Sequence, residues 1–486
     1  MLPDLTEKLR GYVEEFNSAD EEIYAGDIDN AGALDFLRNN APLLDCPDAE
    51  LEKTYYFRLW TLRKHIRTTP HGRILTEFLP PVCWAGPYNS INCPLGHHLR
   101  EARWLRDGDL CWEYVYFWLD GFGDGLSYST WFASSVEALY SLHPRPETLG
   151  VTVGKLAALY EKREEISARP CGLFWSHDDR DGMELSISGP GIRPTLNSYM
   201  CGDAYAISRM AERAGLDSVA RTYRGKADRI RERIDALLWD GDFYRTIPCG
   251  AEDEAAWDER PEVSLEHRAR ELVGYLPWYF GFADKGRDGA FAELLDTDGF
   301  AAPYGLTTAE RRHPRFMFEN DHECLWNGYV WPYATAQTLT ALANMIRRRG
   351  DGSVVSKEDY YALLRQYALS HRLKKDDWDE VCFIDENMHP FTGRWYCRDE
   401  LIRKKHAENG GLRERGKDYN HSTFCDLVLS GLLGISRDCG VTAADPMIPD
   451  GWDFFAVTGL PGGASVVYDR DGTRYGAGVG LRVING

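Results

Sequence analysis

The chain has 486 residues, with 56 Lys and Arg against 76 Asp and Glu, a formal charge of −20 at pH 7. A composition 43% hydrophobic and 27% charged excludes disorder and collagen-like structure and supplies material for a large core. Basic side chains are outnumbered, which argues against binding a phosphate backbone, so no nucleic-acid partner is expected and neutral ligands fit better.

The first ten residues lack the basic and apolar regions of a secretory leader, and no window reaches the ~18 apolar residues of a membrane span. The expectation is a cytoplasmic protein with no membrane partner, with homo-oligomerisation left open. Apolar residues at three- and four-residue spacing then predict helices over 51–67, 99–120, 128–142, 151–168, 195–215, 217–238, 262–283, 325–349, 356–371 and 418–434. In 195–215, Leu196, Tyr199, Met200, Ile207 and Met210 form a stripe opposite Arg209, Glu212 and Arg213, which predicts a helix packed on one side. Between these helices run long segments, 79–98, 169–194, 300–324 and 374–398, rich in Gly, Pro, Trp, His and Asp; loops of that size in a compact domain are functional or disordered, and their aromatic content argues against disorder. From about 440 the period changes to that of short strands, with Asp469-Arg-Asp-Gly as a hairpin turn.

Paired helices with long loops on one side predict an all-α (α/α)6 toroid with a small C-terminal β appendage, divided as a barrel domain over 1–438 and the appendage over 439–486. No fixed-period repeat supports a solenoid. Twelve cysteines without a Cys-x-x-Cys pair predict buried thiols and no metal.

Two acidic stretches carry the candidate chemistry. Trp175-Ser-His-Asp-Asp-Arg-Asp-Gly-Met-Glu crowds Asp178, Asp179, Asp181 and Glu184 beside Trp175 and His177. Mutual repulsion and an apolar neighbour raise a carboxyl pKa towards neutrality, as a general acid requires. Downstream, Asp385-Glu386 sits on a loop between helices, where a carboxylate can hold a water as general base. On the helix from Leu99, Arg103, Trp104 and Asp107 can offer a charged clamp beside a stacking ring; an exposed ion-pair ladder explains the same spacing equally well. Aromatic rings set among hydrogen-bonding groups match a sugar, whose faces are C–H and whose edges are hydroxyl.

These motifs resemble those of the inverting (α/α)6-barrel glycosidases of clan G: the family 63 enzymes, the mannosylglycerate hydrolases and, more distantly, the trehalases. Asp181-Gly-Met-Glu-Leu-Ser is similar to the family's Ser-Gly-x-Asp-x-Ser, with Glu184 at the acid position; Glu for Asp leaves Asp181 as a competing acid. Glu386-Asn-Met-His-Pro-Phe-Thr-Gly is similar to the Glu-x-Tyr-x-Pro-x-Thr-Gly of the family base, which carries that role to Glu386. The resemblance further implies substrate contacts at Trp326, Asn327 (where Arg is usual) and Trp331, at Tyr304, and at Arg103, Trp104 and Asp107. Trp175, His177 and His421 complete the expected rim. The implied activity is inverting, exo-acting hydrolysis of a terminal sugar from a small glycoside or oligosaccharide, without metal or cofactor. Two alternatives stand beside it: a cytosolic sugar epimerase or isomerase of the same fold using His177 and His421, and a carbohydrate-binding relative that has lost activity.

Overall fold

The computed structural model of the chain describes residues 3–253, 255–349, 354–374, 380–405, 407, 411–438 and 440–485. Its helices are α1 (Thr6–Ala19), α2 (Ala33–Asn40), α3 (Ala49–Lys64), α4 (Leu95–Ala102), α5 (Gly108–Leu119), α6 (Phe132–Leu142), α7 (Pro146–Ser167), α8 (Pro194–Arg213), α9 (Asp217–Leu237), α10 (Leu276–Tyr279), α11 (Pro332–Arg349), α12 (Lys357–Ser370) and α13 (Tyr396–Arg403). Several starts are set by side chains that accept orphan N–H groups: Asp48 caps α3, Asp107 caps α5, and Ser356 with Asp359 forms a capping box on α12.

Helices α4, α6, α8, α10 and α11 pack in succession, and α11 packs on a final inner segment that contains a π-helical turn, Leu427–Leu432. The ring closes where α4 meets that segment. Glu101 of α4 accepts the backbone N–H groups of Phe424, Cys425 and Asp426, a carboxylate at a helix start where the unsatisfied donors and the dipole both favour it. The outer layer comprises α5, α7, α9, the 3-10 helix Lys285–Leu294, α12 and α3, so six inner elements are each backed by an outer one. This is an (α/α)6 toroid. Among the described residues no helix is long and apolar enough to cross a membrane.

At the C-terminus, Phe454–Thr458, Ser465–Asp469 and Gly480–Ile484 pair antiparallel. Leu43–Asp45 adds to the Phe454–Thr458 edge in the register Leu43↔Thr458. Asp45 then accepts from Tyr475 and pairs with Lys8 and Arg474, so the sheet is built from both ends of the chain. On one face its buried residues Phe455, Val457 and Val466 belong to the same apolar cluster as Leu9, Trp60 and Leu339, whereas Ala456, Val467 and Tyr475 on the other form a small cluster of their own. Residue 439, where the second domain is expected to begin and which is one of the twelve cysteines, lies outside the described residues.

Several helix expectations change: 418–434 is helical only from residue 425, and 325–349 only from Pro332. The stretch 99–120 is two helices, because the chain turns at 103–107 from the inner to the outer ring and Asp107 starts the second. The stretch 262–283 forms only short 3-10 turns and α10. Helix α8 is buried nearly all round, not on one face, because both ring neighbours and α9 cover it; Thr195, Asn197 and Ser198 are buried with the apolar stripe, and Asn197 ties the backbone of Phe174 through both its amide groups.

Candidate active site

All four long loops meet at one end of the inner ring, around a cavity of about 200 Å³. Trp84, Ile91 and Cys93 come from 79–98, Gly182 and Glu184 from 169–194, His322, Glu323 and Cys324 from around 320, and Glu386 from 374–398. At ~30 Å³ per water such a volume displaces on the order of seven waters, the scale of one sugar ring.

Glu184 is held by a loop whose shape other residues enforce. Trp175–Ser176 pairs with Gly191–Ile192, and Asp179–Asp181 makes a 3-10 turn. Gly182 follows at φ +69°, and a Cβ there would lie 2.6 Å from Cys93 Sγ, so only glycine fits both the conformation and the space. The backbone N–H of Trp326 donates to the carbonyl of Glu184 at 3.1 Å. Glu184 faces the cavity but is enclosed by protein on all other sides. Burial, with the negative charges of Glu386, Asp179 and Asp178, pushes its carboxyl up to about 8.

On the same cavity, Glu386 is buried and paired with Arg415, whose Nε donates to Oε1 at 2.9 Å while Nη2 reaches the same oxygen. Cys324 Sγ lies 3.0 Å from Oε2. The loop bearing Glu386 is anchored by reciprocal backbone bonds between Met388 and Val330, both 2.9 Å, and by Asn387, which accepts from Cys397 N–H and donates to the carbonyl of Glu323. Arg415 also pairs with Glu323 at 3.0 Å and lies over the Trp84 ring. Cys324, Glu386 and Cys397 are close enough to act as metal ligands, but Arg415 Nη2 sits 3.2 Å from Cys397 Sγ and 3.6 Å from Cys324 Sγ. A guanidinium therefore occupies the position of a cation, and the donor set does not fit a metal.

A third carboxyl, Glu77, enters from the segment after the Gly72–Leu75 strand. Tyr419 donates to it, and burial, partly offset by that bond, pushes it up to about 8. The remaining wall is Trp326 stacked on Trp331 with centroids 4.3 Å apart, Tyr333, and His421 against Tyr419. Burial holds His421 well below the usual imidazole range, so it is neutral. Trp326 Nε1 and His421 Nε2 are buried without a partner among the described residues.

The structure thus brings Glu184, Glu386, Trp326, Trp331 and His421 together and places the other candidates elsewhere. Asp181 does not reach the cavity: it is fully buried, 2.7 Å from Arg193 Nε and 2.7 Å from Ser129 Oγ, and it staples the loop that presents Glu184. Arg103 and Trp104 both bind Asp426 at the ring closure, at 2.6 and 2.8 Å, and Asp107 caps α5 and pairs with Arg73. These three are structural because the chain turns outward there. Asn327 is fully buried and donates to the carbonyl of Phe318. Tyr304 packs against Gly393, Trp175 donates to the carbonyl of Cys249, and His177 is 46% exposed beside Asp178; none of them lines the cavity. Sequence reasoning missed Glu77, Arg415 and Tyr419. Lys417-Asp-Tyr-Asn-His stands out in the sequence as a motif, but nothing local ties Arg415 to Glu386, 29 residues upstream.

Residues 87–422 match the mannosylglycerate hydrolase MGH1-like glycoside hydrolase domain. The chain belongs to this glycoside hydrolase family. The glycoside hydrolase is also similar to a protein named "Sialidase", with 34% identity and a TM-score of 0.88 over 100% of this chain; the chain spans 43% of the length of that protein. The GH63 mannosylglycerate hydrolase from Thermus thermophilus, in complex with glucose, shares the fold at 15% identity and TM-score 0.51, covering 72% of this chain and 98% of that one. The GH78 family rhamnosidase of Bacillus sp. GL1 does so at 14% identity and TM-score 0.54, covering 88% and 40%.

Proposed function

We propose that this glycoside hydrolase is an inverting, exo-acting enzyme that releases a terminal, uncharged sugar. Glu184 is the general acid and Glu386 the general base. The observation that carries this reading is the asymmetry of the two carboxyls on one sugar-sized cavity: burial pushes Glu184 up to about 8, whereas Glu386 is ion-paired with Arg415. In inversion the acid protonates the departing oxygen while the carboxylate takes a proton from a water on the opposite face of the ring. Of the Glu386 oxygens, Oε1 carries both arginine contacts and Oε2 faces Cys324, an arrangement that orients the carboxylate for a water entering from the cavity side.

A wall of Trp326, Trp331, Tyr333 and His421 supports exo-action, since a blind hollow admits only a chain end. The charge balance supports a neutral sugar. Arg415 is the only Lys or Arg lining the cavity among the described residues, and it is committed to Glu386 and Glu323. A sugar carboxylate, as the name of the 34% identical relative would suggest, would face Glu386 and Glu323 without a free cation. The epimerase reading loses support because His177 stands away from the cavity that His421 lines. Hydrolysis of a panel of neutral and carboxylated aryl glycosides, followed by NMR from the first minutes, tests the proposal. The first-formed anomer should be opposite to that of the substrate, and Glu386→Gln should lower turnover at least ~10²-fold. Retention of configuration, or near-normal turnover in that variant, refutes it.

A further inference from the structure

A second hollow, of about 240 Å³, lies between α4, α6, α8 and α10. It is separated from the carboxyl cavity by a row of rings packed edge to face: Tyr333 lines the active-site cavity, His97 packs between Tyr333 and Trp131 at 4.6 and 4.8 Å, and Trp131 Nε1 donates to Tyr279 Oη, on the wall of the second hollow, at 3.0 Å. Neither the family nor the proposed hydrolysis gives this space a role.

The charges around it do not cancel. Glu137 is held by Arg209, and Asp438 is held by both arms of Arg213 at 2.8 and 3.1 Å. Asp426, the other carboxylate within range of Arg100, is held by Arg103 and Trp104. Arg100 is left over. Its Cζ lies 5.4 Å from the centre of the Tyr279 ring, its Nε is buried, and no described residue accepts a hydrogen bond from it. Beside it, Ser134 is 6% exposed, lines the same hollow, and its Oγ is buried without a partner among the described residues. Arg100 is half-buried, and a buried guanidinium N–H and a buried hydroxyl left without acceptors are costly unless something on the hollow side accepts from them. A guanidinium fork and a hydroxyl facing one hollow are the donor set for a planar or tetrahedral oxyanion.

We propose that this hollow binds the phosphate or carboxylate head of a small metabolite, with Arg100 as the charged contact and Ser134 Oγ as a second donor. The inference is independent of the hydrolytic reading. The probes are inorganic phosphate and citrate, titrated separately into the full chain at ionic strength held constant with NaCl, with melting temperature and calorimetric binding as readouts. At least one probe should raise the melting temperature saturably beyond the NaCl control, and Arg100→Met should weaken its apparent affinity at least ~10-fold. Should that variant fail to fold, Ser134→Ala removes one hydroxyl and should weaken binding about 5-fold by calorimetry. No saturable effect of either probe, or equal effects in the native chain and the variant that folds, would overturn the proposal.

Discussion

At the scale of single residues, the cavity holds two carboxyls well above their ordinary range. Glu184 and Glu77 are both pushed up to about 8 by burial. The acid form of Glu184 is present below that value and disappears as pH rises through it, so kcat should fall on the alkaline side around pH 8. Glu184→Gln should abolish that limb along with most of the rate, and a limb that survives in the variant would assign it to another group. The same shifts bear on stability. Raised carboxyl pKa values mean that the folded protein keeps protons which the unfolded chain releases above ~4.3, so their stabilisation is complete below that pH and lost as pH rises through about 8. Replacing Glu77 by Gln should therefore flatten the decline in melting temperature between pH ~4.3 and about 8. Buried neutral His65, His97 and His421, all held well below their usual range, act in the opposite sense: their contribution is present above ~6.5 and lost as pH falls.

At the scale of elements, inner and outer helices obey different packing rules. Gly96 on α4 lets the Trp131 ring pass; a Cβ there would lie 2.1 Å from Cε2 and 2.4 Å from Nε1. Trp131 is fully buried and fixed by Tyr199, His97 and Tyr279, so it cannot yield. Gly96→Ala should cost about 1–3 kcal/mol in denaturant unfolding. Gly150, exposed on outer helix α7 with nothing within 4 Å of where a Cβ would stand, should instead gain ~0.5–1 kcal/mol as Ala. Equal effects at the two positions would contradict the ring assignment. The same distinction explains why the α8 stripe is only half informative. Periodicity identifies a helix and its most apolar face, but whether the other face meets solvent or a second layer depends on neighbours far away in sequence.

Across the whole molecule, the division at 438/439 remains a proposal. The C-terminal sheet takes its edge strand from Leu43–Asp45, and Asp45 is shared by Lys8, Arg474 and Tyr475. Barrel and sheet should therefore melt together, in one calorimetric transition, and a chain ending at 438 should melt lower than the full chain because Leu44 loses its strand partner Val457 and Tyr361 loses the Trp452 ring. Two well-separated transitions would restore an autonomous appendage.

Sequence alone determined the ring of helix pairs and the two loops that supply Glu184 and Glu386. Helical period and loop composition are local properties, and both acids sit in short motifs. Only the tertiary structure decided that Asp181 is locked to Arg193, that Arg103, Trp104 and Asp107 serve the ring closure and the start of α5, and that Glu77, Arg415 and Tyr419 complete the cavity. Those roles are set by which groups burial forces together. A carboxyl close to an arginine becomes a staple, one in an enclosed hollow becomes an acid, and the linear spacing of either looks the same.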